Sequence, residues 1–450
     1  MGADMPRAWI WLAPVWVFAA WAGACSASTR PPRTVDTAAG PAVAATPLAH
    51  EQYAVHAPAP LAPLAPALAL PLHELPTRYP STAPHSPLSA DVVARLRAVL
   101  ARGDGRRDWF AKVGDSHTAS PAFLECFTGR DVRLGEHGEL DAALRFFHGW
   151  SRDSVAARSG WHAVQTLGAP LREELEATRP SFAVVMLGTN DTNQTPAEAF
   201  ERYLQSNVET MLRAGVVPIL TTIPPRGDGD EPAALVPEVN AIIRAVAQAR
   251  QVPLIDLFGA LDLLPDGGLA GDGVHMQVHT AGGWHGCWLD DDSLQAGMNR
   301  RNLLTLEALD RMRRFVLSNE TAESAPAPLD GLGTWSAPLR VDAIPFADDR
   351  DSAAGEHAVA AYACARGDRS GGEVVYTLDL AAQSRLRLRV YGDAGVDVAL
   401  HWLDDDAGAC TTRAQRTVEV TADAGPHRFV VDGPGAREGK FRLTIVAVDG

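Results

Sequence analysis

The sequence predicts an α/β domain with an open, doubly wound parallel sheet, followed by a small all-β sandwich. Apolar runs such as residues 182–187 show no alternation, as expected for strands buried on both faces of a parallel sheet. Amphipathic segments with helical spacing separate these runs over about 220 residues. Near Ala337 the helical spacing stops and a period of two replaces it, which is typical of strands with one buried face.

The α/β region contains predicted strands separated by predicted helices. The strands are residues 108–113, 154–157, 182–187, 216–222 and 252–256. Apolar side chains recur at helical spacing over residues 200–212, and Gly215 supplies the stop. We expect Pro237 to open the next helix, because proline is tolerated in a first helical turn. A last helix is predicted over residues 303–315.

The C-terminal region contains short predicted strands separated by glycine and aspartate turns, which favours a β-sandwich. They are residues 373–380, 385–390, 396–403, 417–420, 428–431 and 441–446. In the second strand, arginines alternate with apolar residues, and we interpret this arginine row as a solvated face: Arg385, Arg387 and Arg389. A strand that ends before Gly395-Val396-Asp397-Val398, together with a late hairpin over residues 424–433, resembles bacterial pre-peptidase C-terminal domains. Two roles stay open for it, a structural module and a carbohydrate-binding or surface-binding module.

The N-terminus has the layout of an export signal. Residues 8–22 are apolar and follow Arg7, and this run is shorter than the roughly 20 residues that a membrane span needs. The segment from Ala22 to Cys25 resembles a bacterial lipobox, which implies a lipid on Cys25 and anchoring at the outer membrane. The alternative is an ordinary secretory signal cleaved nearby. An alanine-rich and proline-rich tether follows.

These observations divide the chain of 450 residues into five parts. The predicted parts are a signal peptide (1–25), a linker (26–89), the α/β domain (90–318), a second linker (319–336) and the β-sandwich (337–450). The net charge of −15 disfavours a general role in binding nucleic acid.

The cysteine count predicts two disulfide bonds. Of the five cysteines, four remain once Cys25 is assigned to the lipid. Pairing within each domain gives Cys126–Cys287 and Cys364–Cys410. Zinc is the competing use of cysteine, but the sequence contains no CxxC pair.

Four polar motifs follow predicted strands, where chemistry gathers in open α/β sheets. They are Gly114-Asp115-Ser116, Gly160, Gly188-Thr189-Asn190-Asp191 and Asp272-Gly273-Val274-His275. In this order they resemble the SGNH (GDSL-type) hydrolase family over roughly residues 90–318. The resemblance implies a flavodoxin-like, three-layer α/β/α fold and serine-dependent ester hydrolysis without a metal or other cofactor.

The resemblance also implies residue roles. Ser116 is the expected nucleophile, His275 its base, and Asp272 the carboxylate that orients the imidazole. The expected oxyanion hole consists of the backbone N–H groups of Ser116 and Gly160 and the side-chain amide of Asn190. The alternative for Gly160 is a plain turn glycine.

Two departures from the family pattern need an interpretation. His117 follows the serine, where we expect a residue at the helix start that supports the site rather than a second base. An insertion of residues 276–292 follows His275, and its two tryptophans either face the substrate or pack: Trp284 and Trp288. A metal site is the alternative use of a further set of side chains, which is His275, His279, His285 and Asp290. We set it aside because Gly282-Gly283 breaks the helix that the histidine pair would need.

Two functions follow. The first is a cell-envelope serine esterase that deacylates a carbohydrate, peptidoglycan or lipid ester. The second is a catalytically retired binding or scaffold lipoprotein with the same fold. The presence of Ser116, Asn190, Asp272 and His275 favours the esterase.

Overall fold

The computed structural model describes residues 76–448, apart from 82, 365–366, 404–409 and 415, and only the backbone of 410–414. The predicted signal peptide, Cys25 and most of the first linker lie outside the described residues. None of the helices in the described ranges combines the length and the apolar character that a membrane span requires.

The α/β domain contains a parallel sheet with strand order β1-β2-β3-β4. The strands are β1 (Arg106–Gly114), β2 (Pro180–Met186), β3 (Val217–Thr221) and β4 (Leu254–Ile255). The helices are α1 (Ala90–Leu100), α2 (Ser116–Ala119), α3 (Asp141–Phe146), α4 (Ala169–Thr178), α5 (Asp191–Gln194), α6 (Ala197–Arg213), α7 (Asp230–Arg250), α8 (Leu257–Leu261) and α9 (Gly297–Arg311). A π-helical segment, Met312–Leu317, continues α9. The predicted α/β fold class is confirmed.

Apolar burial explains why the sheet holds together. Every residue of β2 is buried, as its continuous apolar run predicts. Helix α6 buries Phe200, Leu204 and Met211 on one face and contacts both β3 and α7. Helix α1 contacts β3 and the π-helical segment. The carboxyl ends of the four strands therefore share one edge of a rigid sheet.

Two element predictions are wrong. Residues 154–157 do not form a strand: a single parallel bridge, Gly114 to Ala157, joins them to the outer side of β1. There the Ser154 hydroxyl donates to the Lys112 carbonyl (2.6 Å). Helix α7 begins at Asp230, so Pro237 lies inside it. Two acidic residues in the first turn favour this earlier start, because they complement the partial positive charge of a helix N-terminus.

The end of the first predicted linker packs on the sheet. The Ser86 amide donates to the Leu254 carbonyl, and the Leu254 amide donates to the Ser86 hydroxyl, both over 2.9 Å. His85 forms an antiparallel bridge with Ile255, and Leu88 is fully buried. Residues 84–88 thus lie along β4.

The β-sandwich consists of two sheets, as predicted. Their strands are β5 (Leu339–Val341), β6 (Phe346–Asp351), β7 (Val374–Leu380), β8 (Ser384–Gly392), β9 (Ala399–Leu403), β10 (Cys410–Ala414), β11 (Thr417–Ala422), β12 (Gly425–Asp432) and β13 (Lys440–Ala447). One sheet has the order β10-β9-β12-β7-β5 and the other β11-β8-β13-β6. The sequence did not predict β5, β6 or β10.

The arginine row of β8 is not a solvated face. Arg387 donates to Glu238 of α7 (2.9 Å), and Arg389 pairs with Glu198 of α6 (2.5 Å) and with Glu238. Only Arg385, whose side chain is 47% exposed, fits the prediction. The arginines lie at a contact between the β-sandwich and the α6–α7 pair, which the sequence pattern alone does not reveal.

A buried ion pair completes this contact. Arg442 of β13 donates to Glu201 of α6 (2.8 Å) and to Asp393 (2.6 Å). The side chains of Arg442 and Glu201 are 1% and 5% exposed. Tyr391 of β8 belongs to the hydrophobic core of the α/β domain. The sandwich is therefore docked on the α/β domain through buried charges and apolar packing.

Candidate active site

The turn after β1 presents Ser116 at the carboxyl edge of the sheet. Asp115 caps α2, since its side chain accepts from the His117 amide (3.0 Å), and Ser116 is the first residue of that helix. Ser116 is half-buried, whereas Asp115 is fully buried. This cap fixes the position of Ser116 at the N-terminus of α2.

Ser116, His275 and Asp272 form one chain of hydrogen bonds. The His275 Nε2 lies 3.1 Å from the Ser116 Oγ, and its Nδ1 lies 2.7 Å from the Asp272 Oδ2. Because an ionised carboxylate only accepts, Nδ1 carries the proton and Nε2 is left to accept the proton of the hydroxyl. This arrangement can activate a serine oxygen as a nucleophile.

Asp272 is held in its ionised form. Its Oδ1 accepts from the backbone amides of Val274 (3.0 Å) and His275 (2.9 Å). The hydrogen bond from the His275 side chain and these two amides lower the pKa of Asp272 to about 2. The carboxylate therefore stays charged over the whole range in which an imidazole titrates.

A hydrogen bond connects Asn190, one of the predicted oxyanion residues, to the segment that carries another, Gly160. The Asn190 side-chain amide donates to the carbonyl of Trp161, the residue after Gly160 (3.0 Å). Residues 157–160 run beside β1, since the Arg158 amide donates to the Gly114 carbonyl (3.2 Å). Gly160 has φ of +79° and open space at its Cα, so positive φ rather than close packing explains the glycine. The predicted donors thus flank the Ser116 turn.

His117 connects the turn after β1 to the loop that carries Asp272 and His275. Its Nδ1 lies 3.3 Å from the Asp115 Oδ1, and its Nε2 lies 3.0 Å from the Val274 carbonyl. The centre of its ring is 5.2 Å from that of His275. His117 therefore holds the two segments of the site together, as expected for a supporting residue at the helix start. In the described structure it is not hydrogen-bonded to Ser116.

Sequence reasoning missed Arg301. This α9 residue is 2% exposed and donates to the His117 carbonyl (2.8 Å) and to the Thr118 hydroxyl (2.9 Å). Burial lowers its pKa to about 9, which leaves it charged at neutral pH. Burial also opposes ionisation of Asp115, but the His117 hydrogen bond and the Arg301 charge outweigh burial, and the pKa of Asp115 is lowered.

Arg226 was also missed, and it links two of the motifs. Its Nη1 donates to the Thr189 carbonyl (2.8 Å), and its guanidinium pairs with Asp228 (2.5 Å). The amide of the next residue, Gly227, donates to the Gly273 carbonyl (2.7 Å). Arg226 therefore fastens the turn that carries Asn190 to the loop that carries Asp272 and His275. No local sequence pattern distinguishes such an arginine.

The predicted disulfide Cys126–Cys287 is confirmed, and it fixes the insertion after His275. Within that insertion His285 bonds to Asp131 (2.6 Å) and stacks on Trp288, and the Arg133 guanidinium lies over the Trp288 ring. Trp288 is thus a packing residue, while Trp284 is 72% exposed.

The remaining site predictions lie partly outside the described residues. Among the side chains that the structure describes, no group of three or more His, Cys, Asp or Glu residues is arranged to hold a metal ion. The side chain of Cys410 is not among them, so the Cys364–Cys410 bridge stays a prediction.

Comparison with known proteins supports the family that the motifs resemble. Residues 113–279 match the model of the GDSL-like Lipase/Acylhydrolase family. No curated protein matches the chain.

Several solved structures are similar to about half of the chain. A GDSL-like lipase from Bacteroides thetaiotaomicron is 17% identical. The alignment covers 49% of this chain and 97% of the lipase, with a TM-score of 0.32. An acetylxylan esterase from Geobacillus stearothermophilus is 18% identical. The alignment covers 46% of this chain and 95% of the esterase, with a TM-score of 0.31. An α/β hydrolase from a Lake Arreo metagenome is 20% identical. The alignment covers 46% of this chain and 96% of that hydrolase, with a TM-score of 0.32.

Proposed function

We propose that this protein is a serine-dependent ester hydrolase that works through an acyl-enzyme on Ser116. The observation that carries the proposal is the hydrogen-bonded chain from the Ser116 Oγ through His275 to Asp272, with distances of 3.1 and 2.7 Å. The match of residues 113–279 to an acylhydrolase family model supports the same reaction class.

In the first half-reaction the Ser116 Oγ attacks the ester carbonyl carbon while the His275 Nε2 takes the hydroxyl proton. The carbonyl oxygen becomes an oxyanion, which the N–H groups of Ser116 and Gly160 and the Asn190 amide stabilise. His275 then gives the proton to the leaving alkoxy oxygen as the carbon–oxygen bond breaks. An alcohol departs and Ser116 carries the acyl group.

In the second half-reaction water attacks the acyl carbon and His275 takes one of its protons. Collapse of the second oxyanion breaks the bond to the Ser116 Oγ, which recovers a proton from His275. The carboxylic acid leaves and the protein returns to its first state. Asp272 stays ionised throughout and stabilises the imidazolium that forms twice.

The proposed substrate is a carbohydrate, peptidoglycan or lipid ester at the cell envelope, and the proposed anchor is a lipid on Cys25. The apolar segment 8–22 and the lipobox-like residues up to Cys25 support this location. Metabolic labelling with palmitate tests the anchor. We expect label in the wild type and none in Cys25→Ala, and equal labelling of the two would contradict the proposal.

The alternative function is a retired scaffold, and active-site labelling separates it from the esterase. A fluorophosphonate probe should label the wild-type protein and not Ser116→Ala. Hydrolysis of short and long p-nitrophenyl esters and of acetylated glycans, measured on the same two proteins, then identifies the acyl group. Equal labelling of wild type and Ser116→Ala, with no hydrolysis of any ester, would favour the scaffold.

We assign the β-sandwich a structural role in this enzyme. The support is its docking on α6 and α7 through Arg389, Arg442 and Tyr391. A freely tethered binding module would not bury these groups against the α/β domain.

A further inference from the structure

The α6–α7 pair contacts both the β-sandwich and the turn that carries Asn190. Gly188, two residues before Asn190, begins this turn with φ of +128°. A Cβ on Gly188 would lie 2.7 Å from the Val239 Cγ1 and 3.2 Å from the Phe200 Cζ. Phe200 belongs to α6 and Val239 to α7. Because both helices press on its first residue, the turn follows any change in their positions.

Three consecutive residues of α7 connect the sandwich contact to this packing. Glu238 is 3% exposed and accepts a hydrogen bond from Arg387 of the β-sandwich (2.9 Å). Val239 packs on the turn glycine. Asn240 bonds to both backbone groups of Ile223, since its Oδ1 accepts from the amide (2.7 Å) and its Nδ2 donates to the carbonyl (3.1 Å). The Ile223 side chain also packs on the turn glycine, so this part of α7 acts on the turn directly and through the end of β3.

Helix α6 has the same arrangement around Phe200. Phe200 is fully buried against the turn, and Glu198 and Glu201 on either side of it pair with arginines of the β-sandwich. Arg389 joins the two helices, because it pairs with Glu198 (2.5 Å) and also with Glu238. One residue of β8 thus fixes the spacing of α6 and α7 where both helices pack on the turn.

We propose that Arg389 is a positioning residue for the oxyanion hole: by holding α6 and α7 together, it fixes the turn that carries the Asn190 amide. The kinetic consequences rest on the proposed hydrolase function, whereas the position of Asn190 is measurable without it. An oxyanion donor is effective only when it is held in place before the reaction. The β-sandwich therefore contributes to catalysis as well as to stability.

Arg389→Met is the variant that tests this role. Glu198 and Glu238 share the guanidinium of Arg389, and without it the two carboxylates repel each other at a largely buried contact. Arg385→Met is the matched control. It removes an arginine of the same strand and the same row, but its partner, Glu419 (3.4 Å), belongs to the sandwich itself.

The position of the turn is tested first, by nitrogen-15 NMR of side-chain amides in the full-length protein. The Asn190 signal is assigned by its absence from Asn190→Ala. We expect Arg389→Met to shift this signal, because the amide moves relative to the Trp161 carbonyl that it bonds (3.0 Å). Arg385→Met should leave the signal in place. An unchanged signal in folded Arg389→Met overturns the proposal, whether or not the protein hydrolyses esters.

The catalytic consequence is tested by ester hydrolysis, with active sites counted by fluorophosphonate labelling. We expect Arg389→Met to lower kcat per labelled site about threefold to thirtyfold, less than the roughly 10²–10³-fold loss that follows removal of a donor. KM should stay nearly unchanged, because the donor acts on the transition state. Arg385→Met should keep the wild-type kcat.

A double variant separates positioning from general destabilisation. In the Asn190→Ala background, Arg389→Met should lower kcat by less than about twofold, because the donor that it positions is already gone. An equal factor in both backgrounds would show a merely structural role and overturn the proposal. If the wild type neither labels nor hydrolyses any ester, the proposed function fails, and the NMR result alone decides this inference.

Glu198→Gln keeps the test decisive if Arg389→Met does not fold. The Glu198 side chain is 31% exposed, so loss of its charge costs little stability. We expect a smaller change of the Asn190 signal and of kcat, in the same directions as in Arg389→Met. A Glu198→Gln protein with the wild-type signal and the wild-type kcat would contradict the role of Arg389.

Discussion

Replacing Arg442 with methionine should destabilise the whole described unit, because it leaves two carboxylates without their main partner. Arg442 donates to Glu201 over 2.8 Å and to Asp393 over 2.6 Å, and its side chain is 1% exposed. Two charge-assisted hydrogen bonds contribute about 1.5–3 kcal/mol each. Breaking one partner of a buried ion pair typically costs about 3–5 kcal/mol, which agrees with that sum.

The measurement is thermal and urea unfolding of the full-length protein. For a unit of about 370 residues, a loss of this size lowers Tm by roughly 4–6 °C. Arg385→Met is the matched control, because Arg385 belongs to the same sandwich, is 47% exposed and pairs with Glu419 over 3.4 Å. We expect about 0–1 kcal/mol for this exposed pair.

A second variant separates lost charge pairing from lost packing. Adding Glu201→Gln to Arg442→Met should recover part of the loss, because the amide needs no counter-charge. If Arg442→Met costs no more than Arg385→Met, the contact between sandwich and helices does not contribute to stability. Separate unfolding transitions for the two domains in the wild type would lead to the same conclusion.

Three further predictions concern the site and the pH response. Asp272→Asn should lower kcat about 10³–10⁴-fold in an ester assay, because an amide facing Nδ1 favours the wrong His275 tautomer; a loss below tenfold would contradict this role. Arg226→Met should lower kcat, with thermal unfolding measured alongside, because the Asn190 turn is released from the loop of Asp272; unchanged kcat in a folded variant would refute the link. Burial raises the pKa of Glu307 from 4.5 to about 7, so the folded state binds the proton more tightly. The contribution of Glu307 to the free energy of unfolding is complete below pH 4.5 and is lost as pH rises to about 7. Urea unfolding should therefore show a weaker fall in stability over this pH window in Glu307→Gln than in the wild type. The same dependence of stability on pH in both proteins would refute the prediction.

The sequence predicted well where the relevant interactions are local. The Asp272–His275 bond joins residues three apart, and the Asp115 cap joins residues two apart, so short strings of residues carry them. The buried β2 strand was equally plain, because its apolar run is continuous. The Cys126–Cys287 bridge spans 161 residues, and cysteine counting identified it only because few cysteines are present.

Prediction failed where polar residues find distant partners. Strand β6 reads FADDRD, which has low strand propensity, and Asp348 is nevertheless buried because Arg350 (2.8 Å) and Tyr376 (3.2 Å) bond to it. The segment at residues 154–158 makes backbone hydrogen bonds to β1 only at Gly114, and the Ser154 hydroxyl rather than a backbone amide bonds to the Lys112 carbonyl. Residue type alone does not indicate which of these outcomes a segment adopts.

The sequence by itself determined the order of the four motifs, the α/β and all-β division, and the residues that form the Ser116, His275 and Asp272 chain. Only the tertiary structure decided which charged residues support that chain. Arg301 reaches His117 across 184 positions, and Arg442 reaches Glu201 across 241. The free energy of a charge depends on its burial and its partner, and the fold fixes both. An arginine under the nucleophile and an arginine in solvent are therefore identical in the sequence and differ only in the folded chain.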